Sequence, residues 1–204
     1  MMVERVLYYT PNLNPRVAVA VARHLNAPVK YKRYAPMGED KDAFLRLNPN
    51  SLAPLLVEDG VALWETDAIA LRLIELTGSD FWPDEHKVEM MKWVSWSAHH
   101  FTKIAGDIVF YNYTAVAWQG EPDPKVVEEL VVDFHRFAPI LDAELSRREW
   151  LVGGRMSYAD FRVASALPFA LQGKVPLENY SHIRRWHDQL MDVPAWREPF
   201  ADLA

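Results

Sequence analysis

The 204-residue sequence contains no cysteine. Disulfide bonds, thiolate metal ligands and a redox-active thiol belonging to the protein are therefore excluded. Any thiol chemistry must use a sulfur atom that a ligand brings. We also expect no metal site, because the one adjacent histidine pair, His99-His100, lies in a helical pattern where neighbouring side chains point about 100° apart.

Long hydrophobic runs and basic clusters are missing as well. No segment approaches the roughly 20 apolar residues that span a bilayer, and the first ten residues lack the features of a secretory signal. The formal net charge is -6, with the basic residues scattered along the chain, so no surface is predicted to attract a phosphate backbone. We expect a cytoplasmic protein that binds neither membranes nor nucleic acid.

Hydrophobic side chains, in contrast, are plentiful. They make up 50% of the sequence, which is enough to form a sizeable core without stabilisation by disulfide bonds. Seven of the eight tryptophans follow residue 80. They must either fill a helical core or line an apolar cavity.

The first third of the chain changes its hydrophobic period repeatedly. Strands are predicted at 5–9, 29–34, 54–57 and 61–64, and helices at 15–25, 41–47 and 68–76. A stretch of turn formers (GSDFWPDE) then interrupts the pattern. The later periodicity is helical, with segments near 86–113, 123–147, 157–171, 180–191 and 194–201. The sequence thus predicts an α/β domain over residues 1–78 and an all-helical domain over residues 86–204.

A proline stands directly before the third predicted strand, within the stretch NPNSLAPLLVEDGVALWET. Pro54 cannot donate a ladder hydrogen bond, so ordinary sheet logic disfavours it there. A cis Ala53-Pro54 bond resolves the conflict, because it turns the backbone of Ala53 outward while the strand continues. The alternative is a trans proline at the start of an edge strand.

The combination of Asn-Pro, Ala-Pro-Leu, Asp-Gly and Trp-Glu-Thr in this stretch resembles the N-terminal signature of the glutathione S-transferase superfamily. The resemblance implies a thioredoxin-like N-terminal domain, an all-helical C-terminal domain, a homodimer, and glutathione as a substrate. It also implies that Ala53 pairs through its backbone with the cysteinyl part of glutathione, next to Pro54, and that Glu65 and Thr66 hold the γ-glutamyl end. Thr66 further suits a helix N-cap whose amides face an anion. A plain capping threonine beside a solvated glutamate is the alternative.

The loop after the first strand (LYYTPNLNPR) is where this family places the group that holds the glutathione sulfur, usually Tyr, Ser or Cys. Asn14 stands where many members carry Ser or Cys, and Asn12 and Asn14 resemble the loop of the bacterial Nu class, whose members are linked to disulfide reduction with glutathione. Asn14 before Pro15 is also typical of a helix N-cap followed by a first-turn proline. A capping Asn14 keeps its amide NH2 free to donate to a thiolate. The hydroxyls of Tyr8 and Tyr9 are weaker candidates.

Two features of the predicted helical domain extend the resemblance. Ser157 and Asp160 form a predicted capping box with Asp in place of Glu, similar to the capping motif of the superfamily's helical domain, and their role is in folding. An aromatic stripe follows the helix from residue 86 onward. The resemblance implies that part of it, with Trp96, His100 and Tyr111, forms the pocket for the second substrate, whereas simple packing is the alternative.

The function predicted from these residues is a glutathione-dependent transferase that activates the thiol of glutathione for attack on a small electrophile. A glutathione-dependent disulfide-bond reductase is one alternative, and a non-catalytic interaction module of the same fold is another. Leu52, where many members carry a polar residue, favours the module, while Glu65 and Thr66 favour the enzyme. The residue that holds the glycine carboxylate of glutathione stays open between Lys41, Arg33 and others.

Overall fold

The computed structural model of the chain describes residues 3–36, 38 and 41–203. These residues divide into two compact units. The first unit contains the described residues up to Asp80 together with those from Pro194 onward, and the second unit runs from Phe81 to Val193.

The first unit is built on a four-stranded sheet. Its elements in chain order are β1 (Arg5–Tyr9), α1 (Leu13–His24), β2 (Lys30–Arg33), α2 (Lys41–Leu47), β3 (Leu55–Glu58), β4 (Val61–Trp64) and α3 (Thr66–Thr77). The strand order is β2-β1-β3-β4, with β1 parallel to β2 and antiparallel to β3, and β3 antiparallel to β4. This arrangement confirms the predicted thioredoxin-like fold.

Small apolar side chains and one aromatic cluster form the core of this unit. α1 buries an unbroken run, Pro15 to Ala22, that is rich in Ala and Val, and it packs against α3. Around α2, the ring of Phe44 stacks on Tyr34 with centroids 3.7 Å apart, and both pack with Leu55. β3 and β4 are joined by a tight turn in which Asp59 and Gly60 both have positive φ, as an Asp-Gly hairpin turn requires.

The second unit is helical apart from its connecting loops. Its helices are α4 (Lys87–His99), α5 (Phe101–Val109), α6 (Val116–Gln119), α7 (Pro124–Leu145), α8 (Tyr158–Val163), α9 (Ala170–Gly173) and α10 (Ser181–Met191). Short 3-10 segments lie at Asp84–His86 and Leu167–Phe169, and a π-helical segment lies at Phe110–Thr114. No helix among the described residues is long and apolar enough to cross a bilayer.

The single helix predicted over residues 86–113 was wrong in its continuity. The backbone breaks at His100 (φ -129°, ψ -95°) between α4 and α5, and it widens into the π-helical segment after Val109. Gly173 of α9 lies against this widening, so close that an added Cβ would lie 2.8 Å from the Cα of Val109. The amide of Asn112 donates to the carbonyl of Gly173 at 2.9 Å. The close approach of α9 to this segment thus accompanies the change of helical register.

The predicted capping box at the start of α8 is confirmed. The carboxylate of Asp160 is completely buried and accepts hydrogen bonds from the backbone N–H groups of Ser157 and Leu151, at 2.8 and 3.0 Å. It also accepts from the hydroxyl of Ser157 and from the indole N–H of Trp186. Burial raises the pKa of Asp160 to about 6 against the effect of these donors. Asp160 therefore joins α8 and α10 in the core of the second unit.

The end of the chain returns to the first unit. A short helix, α11 (Pro194–Arg197), packs against α1. The sequence predicts a short helix near residues 194–201 within the helical domain, whereas the helix in the structure has only four residues and clusters with the sheet unit.

Candidate functional site

The sheet register brings the predicted glutathione-binding residues to one edge. Tyr8 of β1 pairs with Leu55 of β3, and Leu55 pairs with Trp64 of β4. Pro54 therefore lies at the same end of the sheet as the exit of β1 and the exit of β4. The loop toward α1, the Ala53-Pro54 bond and the Glu65-Thr66 pair consequently lie side by side.

The Ala53-Pro54 peptide bond is cis, as predicted. Ahead of it, Asn48 is 2% exposed and organises the loop through its side chain. The Asn48 oxygen accepts from the backbone N–H of Asn50 at 3.0 Å, and its amide donates to the carbonyl of Leu52 at 2.7 Å. Asn48 thus fixes the backbone that leads directly into Ala53.

Glu65 has an unusual backbone conformation, with φ 75° and ψ 125°. Non-glycine residues adopt such angles at a cost of about 1–3 kcal/mol, and they concentrate at functional sites. Glu65 is the cap residue and Thr66 the first residue of α3, so the prediction of Thr66 as the N-cap was wrong by one position. The Glu65 side chain is exposed, whereas Thr66 is buried.

The first turn of α1 also differs from the sequence interpretation. α1 begins at Leu13 with Asn12 as its cap residue, so Asn14 lies inside the first turn and does not cap the helix. A proline is tolerated within the first turn because those N–H groups have no acceptor in the helix. Pro15 therefore does not require the helix to start next to it. The hydroxyl of Thr10 donates to the side-chain oxygen of Asn12 at 3.1 Å.

Both asparagine side chains are exposed at this edge of the sheet. The Asn14 amide has two N–H donors available for a ligand, while the oxygen of Asn12 already accepts from Thr10. The starts of α1 and α3 add the positive ends of two helix dipoles, which favour an anion. The carboxylate of Glu65 stands among them as an acceptor for a cation. The edge therefore suits a ligand that carries both charge signs.

The two tyrosines of β1 lie in packed surroundings. Tyr9 is 3% exposed, and its ring stacks on Phe200 with centroids 5.4 Å apart. Tyr8 meets Phe44 edge to face at 5.7 Å, and the ammonium group of Lys32 lies over its ring. Both rings thus contribute to the core of the first unit.

The residues predicted for the second-substrate pocket belong to the second unit. Trp96 stacks on Phe101 with centroids 6.2 Å apart, and His100 stacks on Phe137 at 4.6 Å. The rings of Trp96 and His100 are 6.3 Å apart. Tyr111 lies in the π-helical segment and meets Phe110 edge to face. Trp96 and His100 therefore share one aromatic cluster, and Tyr111 lies in a different element.

The roles of two residues near this edge were not predicted from the sequence. Asn48 belongs to the Asn-Pro of the signature, but its hydrogen bonds to the loop before the cis-proline were not predicted. Arg16 lies in the first turn of α1 and is 5% exposed. An arginine between apolar residues of a buried helical run is an unusual pattern that could have been noticed.

Comparisons with known proteins agree with the geometry. The family described as glutathione S-transferase, C-terminal domain, matches residues 92–194, and the family described as glutathione S-transferase, N-terminal domain, matches residues 5–73. The glutathione S-transferase-like protein tpcF of Aspergillus fumigatus is 26% identical, covering 93% of this chain and 91% of its own. The disulfide-bond oxidoreductase YfcG of Escherichia coli is also 26% identical, covering 78% of this chain and 75% of its own.

Solved structures show the same fold. Glutathione S-transferase I bound with lactoylglutathione superimposes with a TM-score of 0.85 at 20% identity, covering 97% of this chain and 99% of that one. A glutathione transferase family member from Pseudomonas fluorescens, with two glutathione molecules bound, gives a TM-score of 0.82 at 21% identity, covering 96% and 92%.

Proposed function

The chain belongs to the glutathione S-transferase family, and we propose that it binds glutathione at the sheet edge of its first unit and activates the thiol for attack on an electrophile. The observation that carries this proposal is the convergence of Ala53-Pro54, the positive-φ Glu65 and the start of α1 at one edge. Several structural relatives are described as binding glutathione or its oxidised form, which supports the choice of ligand.

The charges and backbone groups of this edge suit the three parts of glutathione. The α-ammonium of the γ-glutamyl end donates to Glu65, and the α-carboxylate lies at the positive start of α3 beside Thr66. The cysteinyl backbone pairs with Ala53, whose position Asn48 maintains. This places the sulfur toward the loop that carries Asn12 and Asn14. Lys41 at the start of α2 and Arg33 at the end of β2 are exposed cations for the glycine carboxylate.

Thiol activation requires that the thiolate be stabilised relative to the thiol. The positive start of α1 and a hydrogen bond from the Asn14 amide both favour the thiolate, so the thiol releases its proton to solvent near neutral pH. The thiolate then attacks an electrophilic carbon and forms a carbon–sulfur bond, and the leaving group departs with its electron pair. We assign Trp96, His100 and Tyr111 to the binding of that second substrate.

Reduction of small disulfides is the second candidate, favoured by Asn14 and by the similarity to an oxidoreductase from Escherichia coli. A glutathione thiolate attacks one sulfur of the disulfide, and the other sulfur leaves as a thiolate and takes a proton. A second glutathione then attacks the mixed disulfide, releasing the remaining thiol and glutathione disulfide. Because the chain has no cysteine, both electrons come from glutathione.

We further propose a homodimer that acts in the cytoplasm, where thiols are kept reduced. The first unit exposes apolar side chains on its edge strand β4, with Val61 72% and Trp64 41% exposed. A bare hydrophobic edge strand invites pairing with another chain. A second copy covering this strand removes that surface from water.

An activity experiment tests the proposal and separates its two forms. The protein is assayed with glutathione plus an activated aryl halide, and separately with glutathione plus a small dialkyl disulfide. We expect turnover with at least one of them, and turnover with the disulfide alone would select reduction. Glutathione binding without turnover of either would instead identify an interaction module and contradict the proposed enzyme.

A further inference from the structure

The last ten described residues pack against α1 and accept hydrogen bonds from two of its arginines. Trp196 is completely buried, and Phe200 stacks on Tyr9 at the end of β1. We refer to residues 194–203 as the C-terminal segment. It clusters with the first unit, so it packs on the same body that carries the glutathione-binding edge.

Arg16 makes a polar connection to this segment. One terminal nitrogen of Arg16 donates to the carbonyl of Trp196 and, at 3.4 Å, to the carbonyl of Arg197. The guanidinium also lies 5.2 Å from the ring centre of Trp196. These two carbonyls end α11, where a helix leaves its acceptors unsatisfied and carries partial negative charge. Arg16 therefore closes the end of α11.

Burying the guanidinium of Arg16 removes its hydration, which costs free energy that packing alone does not require. Burial lowers the pKa of Arg16 to about 10, which still leaves the side chain a cation at neutral pH. Within the part of the chain that the structure describes, Arg16 has no carboxylate in ion-pair range, and its Nε is buried without a hydrogen-bond partner. An apolar side chain of similar volume would pack here without that desolvation. Packing alone therefore does not explain why an arginine occupies this position.

The position of Arg16 along α1 indicates that role. It follows Asn14 by two residues and lies in the same first turn, which carries the proposed sulfur-binding group. A second arginine, Arg23, makes the same kind of bond, from its guanidinium to the carbonyl of Ala201. Arg23 lies two helical turns further along the same face, at the opposite end of α1. Of these two arginines, Arg16 is the one that lies in the first turn of α1, beside Asn14.

We propose that Arg16 is a positioning residue for the sulfur end of the site: by binding the end of α11 it fixes the first turn of α1, and with it the amide of Asn14. This inference rests on the proposed glutathione-binding function. It separates two parts of the site, because the hydrogen bonds of Arg16 go to α11, whereas Glu65 and Thr66 lie at the start of α3. Loss of the Arg16 connection should therefore affect the sulfur and spare the γ-glutamyl end.

Two ligands report on the two ends separately. S-methylglutathione has no ionisable thiol, so its affinity reports on the γ-glutamyl end and the backbone contacts. The pKa of the thiol in bound glutathione, followed by the ultraviolet absorbance of the thiolate, reports on the sulfur end. The variants are Arg16→Met, which keeps the length and removes the donors, Arg16→Lys, which keeps the charge, and the matched control Arg23→Met.

Arg16→Met should raise the pKa of the bound thiol by about one unit, while S-methylglutathione affinity changes by less than about twofold. Arg16→Lys should give a smaller shift, and Arg23→Met none. Equal losses at both ends, or no shift in either Arg16 variant, would overturn the inference. If Arg16→Met does not fold, the pKa of the bound thiol is compared between Arg16→Lys and Arg23→Met. A shift in Arg16→Lys alone supports the inference, and no shift in it overturns the inference. Failure of the unsubstituted protein to bind S-methylglutathione would reject the proposed function itself.

Discussion

Glu65 and Asn14 hold opposite ends of the proposed glutathione site, and they differ in how the fold supports them. Glu65 is fixed by its own strained backbone at the start of α3, with φ 75°. Asn14 has ordinary helical surroundings in an exposed first turn. Substitution of Glu65 therefore tests the binding of glutathione, whereas substitution of Asn14 tests the activation of its thiol.

Glu65→Ala should weaken the binding of glutathione by about tenfold or more, because it removes the charged acceptor for the α-ammonium. Glu65→Gln keeps an acceptor without charge and should weaken it less. Fluorescence titration measures both, and Glu75→Ala, at the other end of α3, provides the control. An unchanged affinity in Glu65→Ala would show that the γ-glutamyl end binds elsewhere.

Asn14→Ala should raise the pKa of the bound thiol and slow turnover at neutral pH, because the thiolate loses a hydrogen-bond donor. Its thermal stability should hardly change, since Asn14 is not the cap residue and Ala favours a helix. Asn14→Ser retains a donor and should keep part of the activity, while Asn14→Asp adds a repelling charge. Wild-type rates in Asn14→Asp, or equal damage from Tyr8→Phe or Tyr9→Phe, would contradict the assignment.

Sequence motifs predicted the local backbone at the proposed γ-glutamyl residues, because each motif residue has a local structural reason to be there. A proline directly before a strand favours a cis peptide bond, and the Ala53-Pro54 bond is cis. The Trp-Glu-Thr motif precedes an apolar helical pattern, and α3 begins at Thr66. The role of Asn14 as a cap was wrong because a proline in the first turn does not fix which residue starts the helix. Arg16 was missed because its partners are backbone carbonyls, which have no sequence signature.

At the scale of elements, the first unit was predictable and the second only in part. Short strands and helices separated by turn formers leave clear changes of period, so the order β-α-β-α-β-β-α emerged from the sequence. In the second unit the apolar stripe continues across the break at His100 and across the π-helical segment. Periodicity alone therefore could not distinguish one long helix from three segments.

The hydrogen bonds of Asp160 hold α8 and α10 together, and a substitution at this residue tests their contribution to stability. Asp160→Ala should lower the free energy of unfolding by about 3–5 kcal/mol, because four buried donors on Leu151, Ser157 and Trp186 lose their acceptor. Ser157→Ala removes only one hydroxyl of the capping box and should cost about 1 kcal/mol. Urea unfolding followed by tryptophan fluorescence measures both. A similar small loss in the two variants would show that the Asp160 network does not hold α8 and α10 together.

At the scale of the whole molecule, the run of turn formers at residues 78–85 contains the point after Asp80 where the first unit gives way to the second. The return of the C-terminal segment to the first unit was not visible. It depends on stacking of Phe200 and on bonds from Arg16 and Arg23 to carbonyl groups, contacts between residues about 180 positions apart. Such pairings need the folded backbone to be recognised.

The proposed homodimer has an expected mass in solution of twice the 23.5 kDa of one chain. Val61→Glu should shift the protein toward the monomer, because it places a charge on the exposed edge strand β4. Val132→Glu is a matched control, since Val132 is similarly exposed, at 65%, on α7. Light scattering at micromolar concentration measures the mass. A wild-type mass near 23.5 kDa would reject the dimer.

Calorimetric titration of the purified protein with reduced glutathione, and in parallel with oxidised glutathione, shows whether the sheet edge binds glutathione. We expect saturable binding of reduced glutathione at about one site per chain, lost or strongly weakened in Glu65→Ala. Binding of oxidised glutathione at the same site would add support for the disulfide reaction. A folded protein that gives no saturable heat with either form would contradict the assignment of the sheet edge as a glutathione site.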